Sequence, residues 1–445
     1  MRLICTKAVQ LLEDTYFEEV QQKMLYVILS HRWGKDEVTF QDMADPEKAK
    51  MKKRGYDKIR KTCEIAQGMG YAYAWVDTCC IDKTSSSELS ETINSMFRWY
   101  QNSAVCLAYL DDIDLRMEGA EPAGVLYPFL SGSKWFRRGW TLQELIAPSI
   151  VDFYDKDWRK FGTKSHPEFL ADLTRITKIP AGVLGNPDKI TSCTVAQRMS
   201  WASDRETTRV EDMAYSLIGI FGINMPMLYG EGARAFIRLQ EEIAKETNDL
   251  SLFCWALEDD PSVDEHGIFA LSPSYFRSAH ILVSLPWAIP REFSLVNGGI
   301  RITTQLRKLD EKFLLSLDCG YDEDGIVGAI SQNIALRKTP SGYVRLDPAS
   351  TYEYHPSVVH LQIPLATEAI FIRKVISRSE FENTKLAHSV AFQGARDDVR
   401  VYSDHRSVSA FPRHLWDESR NIFLATGFPR FGVTQLFVGR VNLTD

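Results

Sequence analysis

The sequence predicts an α/β domain built on a parallel sheet, followed by a mostly antiparallel β domain. Three observations carry that expectation. Short, almost wholly apolar runs alternate with segments of helical period over residues 25–154. Helical spacing then takes over from about residue 192 to residue 250. Beyond that the hydrophobic period shifts towards two.

Residues 25–30 (LYVILS) form the first expected strand, because an apolar run without alternation is what a strand covered on both faces shows. Residues 56–67 carry Ile59, Cys63 and Ala66 at helical spacing, and Gly68 and Gly70 end that helix. Residues 73–76 (YAWV) are the second strand. Residues 87–100 are a second helix with Leu89, Ile93, Met96, Phe97 and Tyr100 on one face and Ser87 as its N-cap. Residues 104–110 (AVCLAYL) are the third strand, running into Asp111 and Asp112. A helix over residues 141–147 stops at Pro148, and residues 150–154 (IVDFY) are the fourth strand. Strands separated by crossovers of this length imply a parallel sheet with right-handed connections.

Residues 194–201, 208–221 and 232–247 then read as helices, with a proline-containing connection over residues 224–230. Residues 279–285, 299–306, 313–317, 369–375 and 435–440 read as strands between turn residues. The expected division is therefore an α/β domain over 1–190, a helical extension over 191–250 and a β-rich domain over 251–445.

Composition narrows the function classes. A net charge of -7 provides no global positive field to attract nucleic acid or anionic lipid, so no nucleic-acid partner is expected. No apolar run reaches the length of a membrane span, and no secretory leader pattern is present. The eight cysteines are scattered without C-x-x-C spacing, which points to a reducing compartment, cytosol or nucleus, and a cytoplasmic location is expected. No His, Cys and carboxylate cluster has metal-ligand spacing, and no Gly-x-x-x-x-Gly-Lys phosphate loop is present. Neither a metal nor a resident cofactor is expected.

The most informative stretch is residues 140–145 (WTLQEL), after residues 135–139 (WFRRG). It puts Glu144 four residues beyond Trp140, near the start of a helix that precedes the fourth strand. A glutamate there either favours the first helical turn as a solvated charge, or faces the sheet edge where polar loops gather. In the second case it can stabilise an oxocarbenium-like state of glycosidic cleavage. Residues 30–34 (SHRWG) likewise admit two readings. Arg32 and the loop amides bind a phosphate while Trp33 stacks a base, or Arg32 is solvated and Trp33 covers the core. Asp77 orients a ligand hydroxyl or caps the turn after its strand. Cys79 and Cys80 with His31 invite a thiol-nucleophile idea, but nothing argues for a depressed thiol pKa, and buried structural cysteine is the commoner outcome. Gly230-Glu231-Gly232 is only half of a dinucleotide fingerprint and follows no strand.

Residues 29–34 (LSHRWG), 73–83 (YAWVDTCCIDK) and 138–145 (RGWTLQEL) resemble the fungal heterokaryon-incompatibility (HET) domain of vegetative incompatibility proteins. The resemblance continues in order through residues 196–202 (AQRMSWA), 207–215 (TTRVEDMAY), 227–232 (MLYGEG) and 238–243 (RLQEEI). It covers about residues 1–257. HET domains are in turn similar to TIR domains, which implies a flavodoxin-like sheet and, from several TIR branches, NAD cleavage. On that pattern Glu144 is the catalytic residue, with Ser30, His31, Arg32, Trp33, Asp77 and Trp140 around the nucleotide. NAD or a related nucleotide is then substrate rather than cofactor. The implied role is fungal programmed cell death and innate immunity after fusion of unlike strains. Self-association and a nucleotide-binding switch receptor are the implied partners, since relatives carry such a switch domain and a WD-repeat array that this sequence lacks. A non-enzymatic signalling module acting by self-association is the alternative. The two readings differ in whether Glu144 lies in a ligand-sized cavity.

Overall fold

A computed structural model describes residues 1–12, 25–115, 126–257, 263–286, 288–323, 326–339, 341–354, 363–364, 366–374, 389–390, 416–417 and 422–424. The chain divides into two compact units. Residues 1–243 and 271–280 form the first, and residues 244–270 and 281–445 the second.

The first unit is built on a mixed sheet of seven strands. These are β1 (Leu3–Cys5), β2 (Gln10–Leu12), β3 (Tyr26–His31), β4 (Tyr73–Trp75), β5 (Val105–Tyr109), β6 (Val151–Tyr154) and β7 (Lys160–Thr163), in the order β2-β1-β4-β3-β5-β6-β7. The four central strands are parallel, with Val27 opposite Ala74, Ser30 opposite Ala108 and Ala108 opposite Phe153. All four are the expected apolar runs. Every residue of β3 and β6 is buried, which a strand covered on both faces requires. Three antiparallel strands extend the sheet at its margins, the β1–β2 pair beside β4 and β7 beside β6. Three or four residues long, with β2 and β7 at least partly exposed throughout, they carry no strand signal that periodicity reads.

Helix α1 (Lys53–Gly68) buries Ile59, Thr62, Cys63 and Ala66. Helix α2 (Ser86–Gln101) buries Thr92, Ile93, Met96, Trp99 and Tyr100. Its N-cap is Ser85, not Ser87, because Ser85 accepts the Glu88 amide at 3.3 Å. The Tyr100 hydroxyl donates to the Leu29 carbonyl at 3.0 Å, tying α2 to β3. Trp75 packs edge-on against Trp99 with ring centroids 5.8 Å apart. Full burial of side chains like these stabilises by roughly 1.5–3 kcal/mol each.

The helical stretch expected over residues 208–221 is broken. Two short helices, Asp212–Tyr215 and Ile218–Phe221, take its place. Residues 207–211 form a loop, and Gly219 packs so closely on Phe97 that a Cβ there would lie 2.3 Å from it. Tertiary packing therefore overrides helical period in this stretch.

In the second unit, among the described residues, an eleven-stranded sheet is antiparallel except for one parallel contact, Tyr343 beside Ile372. Its first hairpin joins Phe293–Val296 to Gly299–Thr304 through Asn297-Gly298, with Gly298 at φ 90°, the positive φ at the second central position that a type II turn gives to glycine. The strand expected over residues 279–285 is shorter, Leu282–Ser284. Residues before it, which belong to the first unit up to His280, wind into a 3-10 helix, Pro273–Ile281, burying Phe276 and Ala279 at three-residue spacing. The strand expected over residues 435–440 lies outside the described residues. Arg345 is fully buried in this unit. It donates to the carbonyls of Phe253 (3.0 Å) and Trp255 and sits 3.7 Å from the Trp255 ring, and burial pulls its pKa down to about 9.

Candidate functional site

The carboxyl ends of β4, β3 and β5 lie side by side in the first unit, and they lead into Asp77, Ser30-His31 and Asp111 respectively. From β3 the chain passes to β4 on one side, and from β5 to β6 on the other. That makes a switch point between β3 and β5, where open α/β sheets leave a crevice. Helix α3 (Thr141–Ile146), just before β6, has all six residues buried. Its C-terminal carbonyls are held by Lys164, whose Nζ donates to Leu145 (3.0 Å), Ile146 (3.3 Å) and Pro148. A cation suits that end of a helix.

Glu144 is 4% exposed, which disposes of the solvated-charge reading. The Ser30 hydroxyl donates to its Oε2 at 2.5 Å, and the Trp135 indole N–H donates to the Ser30 oxygen at 3.0 Å. Burial pushes the Glu144 pKa up to about 7, against the opposing pull of Arg138, the Ser30 hydroxyl and Arg205, while the Asp77 charge adds to the rise. The carboxyl is therefore poised between its two protonation states near neutrality.

Glu144 borders a cavity of about 190 Å³. Trp33, Asp77 and Trp140 line it too, so four of the seven residues anticipated from the sequence converge there. The Trp33 indole N–H donates to Asp77 Oδ2 at 2.8 Å. Lys83 Nζ lies 3.5 Å and the Arg138 guanidinium 5.0 Å from the Trp33 ring centroid, both in cation–π range. Burial lowers the Lys83 pKa, with Asp77 acting against it.

The other three residues sit elsewhere. Ser30 is fully buried behind Glu144 and acts on the cavity through it. His31 is 3% exposed, with Nε2 3.7 Å from Glu37 and Nδ1 3.9 Å from Asp77. Arg32 is engaged by two carboxylates that follow β5, Asp111 at 3.2 Å and Asp112 at 3.6 Å, and does not line the cavity. The pyrophosphate contact expected of it therefore has no support in its position. Cys79 and Cys80 are buried, and burial with the neighbouring Cys80 raises the Cys79 thiol well above its ordinary pKa, the opposite of nucleophile activation.

Several lining residues were not anticipated. Arg138, Arg209, Asp212 and Tyr229 face the cavity together with the apolar wall of Ile81, Leu89, Ile93 and Met96. The Tyr229 hydroxyl donates to Asp212 Oδ1 at 3.0 Å, and the Arg209 guanidinium lies 4.4 Å from the Tyr229 ring. Burial raises the Asp212 pKa, opposed by hydrogen bonds from Tyr229 and Trp140. One signal was available. Trp33, Lys83, Arg138, Arg209 and Tyr229 each come from a different one of the sequence blocks quoted for the resemblance, and all five blocks meet at this cavity.

The segment before α3 is fixed by main-chain pairing. The Gly139 amide donates to the Glu206 carbonyl at 2.8 Å, and the Glu206 amide to the Arg137 carbonyl at 2.5 Å. A Cβ on Gly139 would lie 2.5 Å from Thr207 Cγ2, so only glycine permits this approach. Buried Arg205 reinforces the turn, its Nη1 donating at 2.9 Å both to the Arg138 carbonyl and to Thr141 Oγ1. Among the described residues no cluster of three or more His, Cys, Asp or Glu is arranged to hold a metal, and no helix is long and apolar enough to cross a membrane.

Residues 26–125 match the family model described as Heterokaryon incompatibility protein (HET). The chain is also similar to Vegetative incompatibility protein HET-E-1 of Podospora anserina, 44% identical over 230 residues. That alignment covers 51% of this chain and 16% of the relative, so the chain spans a small part of the relative's length. No solved structure matches it.

Proposed function

We propose a function from one premise: this chain is a heterokaryon-incompatibility (HET) domain protein. On our reading it is an effector of vegetative incompatibility whose first unit has a flavodoxin-like, TIR-like sheet and cleaves NAD or a related dinucleotide. The order of the parallel strands, β4-β3-β5-β6, is the 2-1-3-4 succession of flavodoxin-like sheets and supports the fold assignment.

The observation that carries the chemistry is Glu144, a buried carboxyl on the wall of a cavity that also presents two tryptophans and three cations. A dinucleotide offers matching features: flat rings, ribose hydroxyls and a pyrophosphate. Trp33 and Trp140 suit ring contacts, and Arg138, Arg209 and Lys83 suit phosphate oxygens. In the reaction the bond between the ribose anomeric carbon and the nicotinamide nitrogen breaks. Its electron pair leaves with nicotinamide. Water adds to the anomeric carbon and releases a proton, giving ADP-ribose. Ionised Glu144 lowers the barrier by stabilising positive charge on the ribose, a preorganised interaction inside a partly desolvated cavity. Ser30, itself fixed by Trp135, holds the carboxylate in place.

The test is incubation of the purified full chain with NAD at low and high protein concentration, with chromatography of the products. Release of nicotinamide that is lost in Glu144→Gln supports the reading. A folded protein that releases none at either concentration overturns it and leaves self-association as the working alternative.

A further inference from the structure

A second cavity in the first unit, of about 160 Å³, is lined by Trp201, Arg205, Lys178, Asp204, Arg277 and His280 among others. Its Arg205 also braces the site described above, without lining that first cavity. Arg205 lines this cavity while its Nη1 holds the Arg138 carbonyl and Thr141 at the start of α3. We infer that this second cavity binds a small oxyanion of the phosphate type, through Arg205, Arg277 and Lys178.

Three observations point to an anion. The lining has three cationic side chains against one carboxylate, so its field is positive. The carboxylate, Asp204, pairs with Arg277 at 3.1 Å, but both side chains are largely exposed, 71% and 47%, and such a pair is weak and exchangeable. The buried groups are the more telling. The indole N–H of Trp201, a residue 3% exposed, has no acceptor among the described residues. A buried donor left unmet is costly, which favours a ligand that brings acceptor oxygens. Arg205 is 6% exposed and uses Nε on the Trp201 carbonyl at 3.2 Å and Nη1 on the start of α3, leaving Nη2 without a hydrogen-bond partner among the described residues. A tetrahedral oxyanion matches such a set, since it accepts from guanidinium and indole donors at once. Phe136 and Ile176 close the apolar side, leaving room for a small phosphomonoester as well as the free ion.

The experiment titrates the full-length chain with inorganic phosphate at constant ionic strength, set with sodium chloride, and follows the thermal midpoint. A saturable rise is expected with phosphate and none with chloride alone. Arg277→Gln, at an exposed position, should weaken apparent affinity at least tenfold, in line with loss of a charge-assisted hydrogen bond. Asp204→Asn should tighten it severalfold, because it removes the competitor for Arg277. Opposite responses from these two exposed substitutions are not produced by a general change in stability. Absence of a saturable phosphate effect overturns the inference, as do unchanged affinities in both variants. The readout is binding, so the result is independent of whether Glu144 cleaves NAD.

Discussion

The hydroxyl of Ser30 donates to the Glu144 carboxylate at 2.5 Å across 114 residues of sequence, joining the end of β3 to the helix before β6. Because Trp135 donates to the same oxygen at 3.0 Å, the Ser30 proton has one direction to point. The serine is therefore a positioning residue. It fixes the carboxylate and favours its charged form.

Ser30→Ala leaves the Trp135 N–H without its acceptor and Glu144 without its donor. Unfolding by denaturant should show a loss of about 1–3 kcal/mol, the usual cost of an unmet buried polar group. The lost hydrogen bond to the charged form should also raise the Glu144 pKa. The acid limb of any NAD-cleavage profile should move to higher pH, a shift that a purely structural role would not produce.

Glu144→Gln tests the chemistry. Removing a preorganised charge of this kind typically costs roughly 10²–10³ in rate, so any nicotinamide release should fall to background together with any toxicity on overexpression. A folded Glu144→Gln protein that kills cells as the parent does would refute the enzymatic reading.

Glu144 also makes stability depend on pH. Its folded pKa, about 7, is raised above the ordinary 4.5. The folded state thus holds a proton that the unfolded chain has released between those values. The contribution is fully present below about pH 4.5, declines as pH rises, and is lost above about 7, by roughly 3 kcal/mol at 1.36 kcal/mol per pKa unit. In Glu144→Gln this decline should be absent, and comparing denaturation of both proteins at pH 5 and pH 8 measures it.

Arg209→Ala and Arg32→Ala should differ. Arg209 lines the cavity, whereas Arg32 is occupied by Asp111 and Asp112 outside it. If a dinucleotide binds there, loss of Arg209 should raise KM about tenfold, in line with one charge-assisted contact to phosphate. Loss of Arg32 should leave KM within about twofold, since surface ion pairs contribute little. Equal effects would remove Arg209 from the binding role.

Gly139→Ala should destabilise by about 1–3 kcal/mol, the range for overpacking a close contact, because its methyl would lie 2.5 Å from Thr207 Cγ2. Truncating the obstacle in Gly139→Ala with Thr207→Ser should restore much of the loss. Thermal melts of the single and double variants measure the rescue.

The α/β character of the first unit was legible in the sequence because its four parallel strands are covered on both faces. That coverage turns β3, β4, β5 and β6 into continuous apolar runs, and α1 and α2 show their buried faces as helical spacing. The marginal strands β1, β2 and β7 were not legible. They are only three or four residues long, too short for a hydrophobic period to show, and the neighbour already in place makes them strands. The site divided in the same way. Trp140 and Glu144 could be singled out from their spacing on one helix, and Asp77 from its place after an apolar run. Arg138, Arg209, Asp212 and Tyr229 could not be found from spacing, only from their place in the resembling blocks, since each is an ordinary polar residue until the chain returns it to the same cavity. Tertiary structure alone assigned Arg32 to Asp111 and Asp112 and set Ser30 behind Glu144. Period and composition report which face of an element is buried. Which charges meet there, and whether a carboxyl is held near neutrality, depends on through-space distances that no sequence spacing encodes.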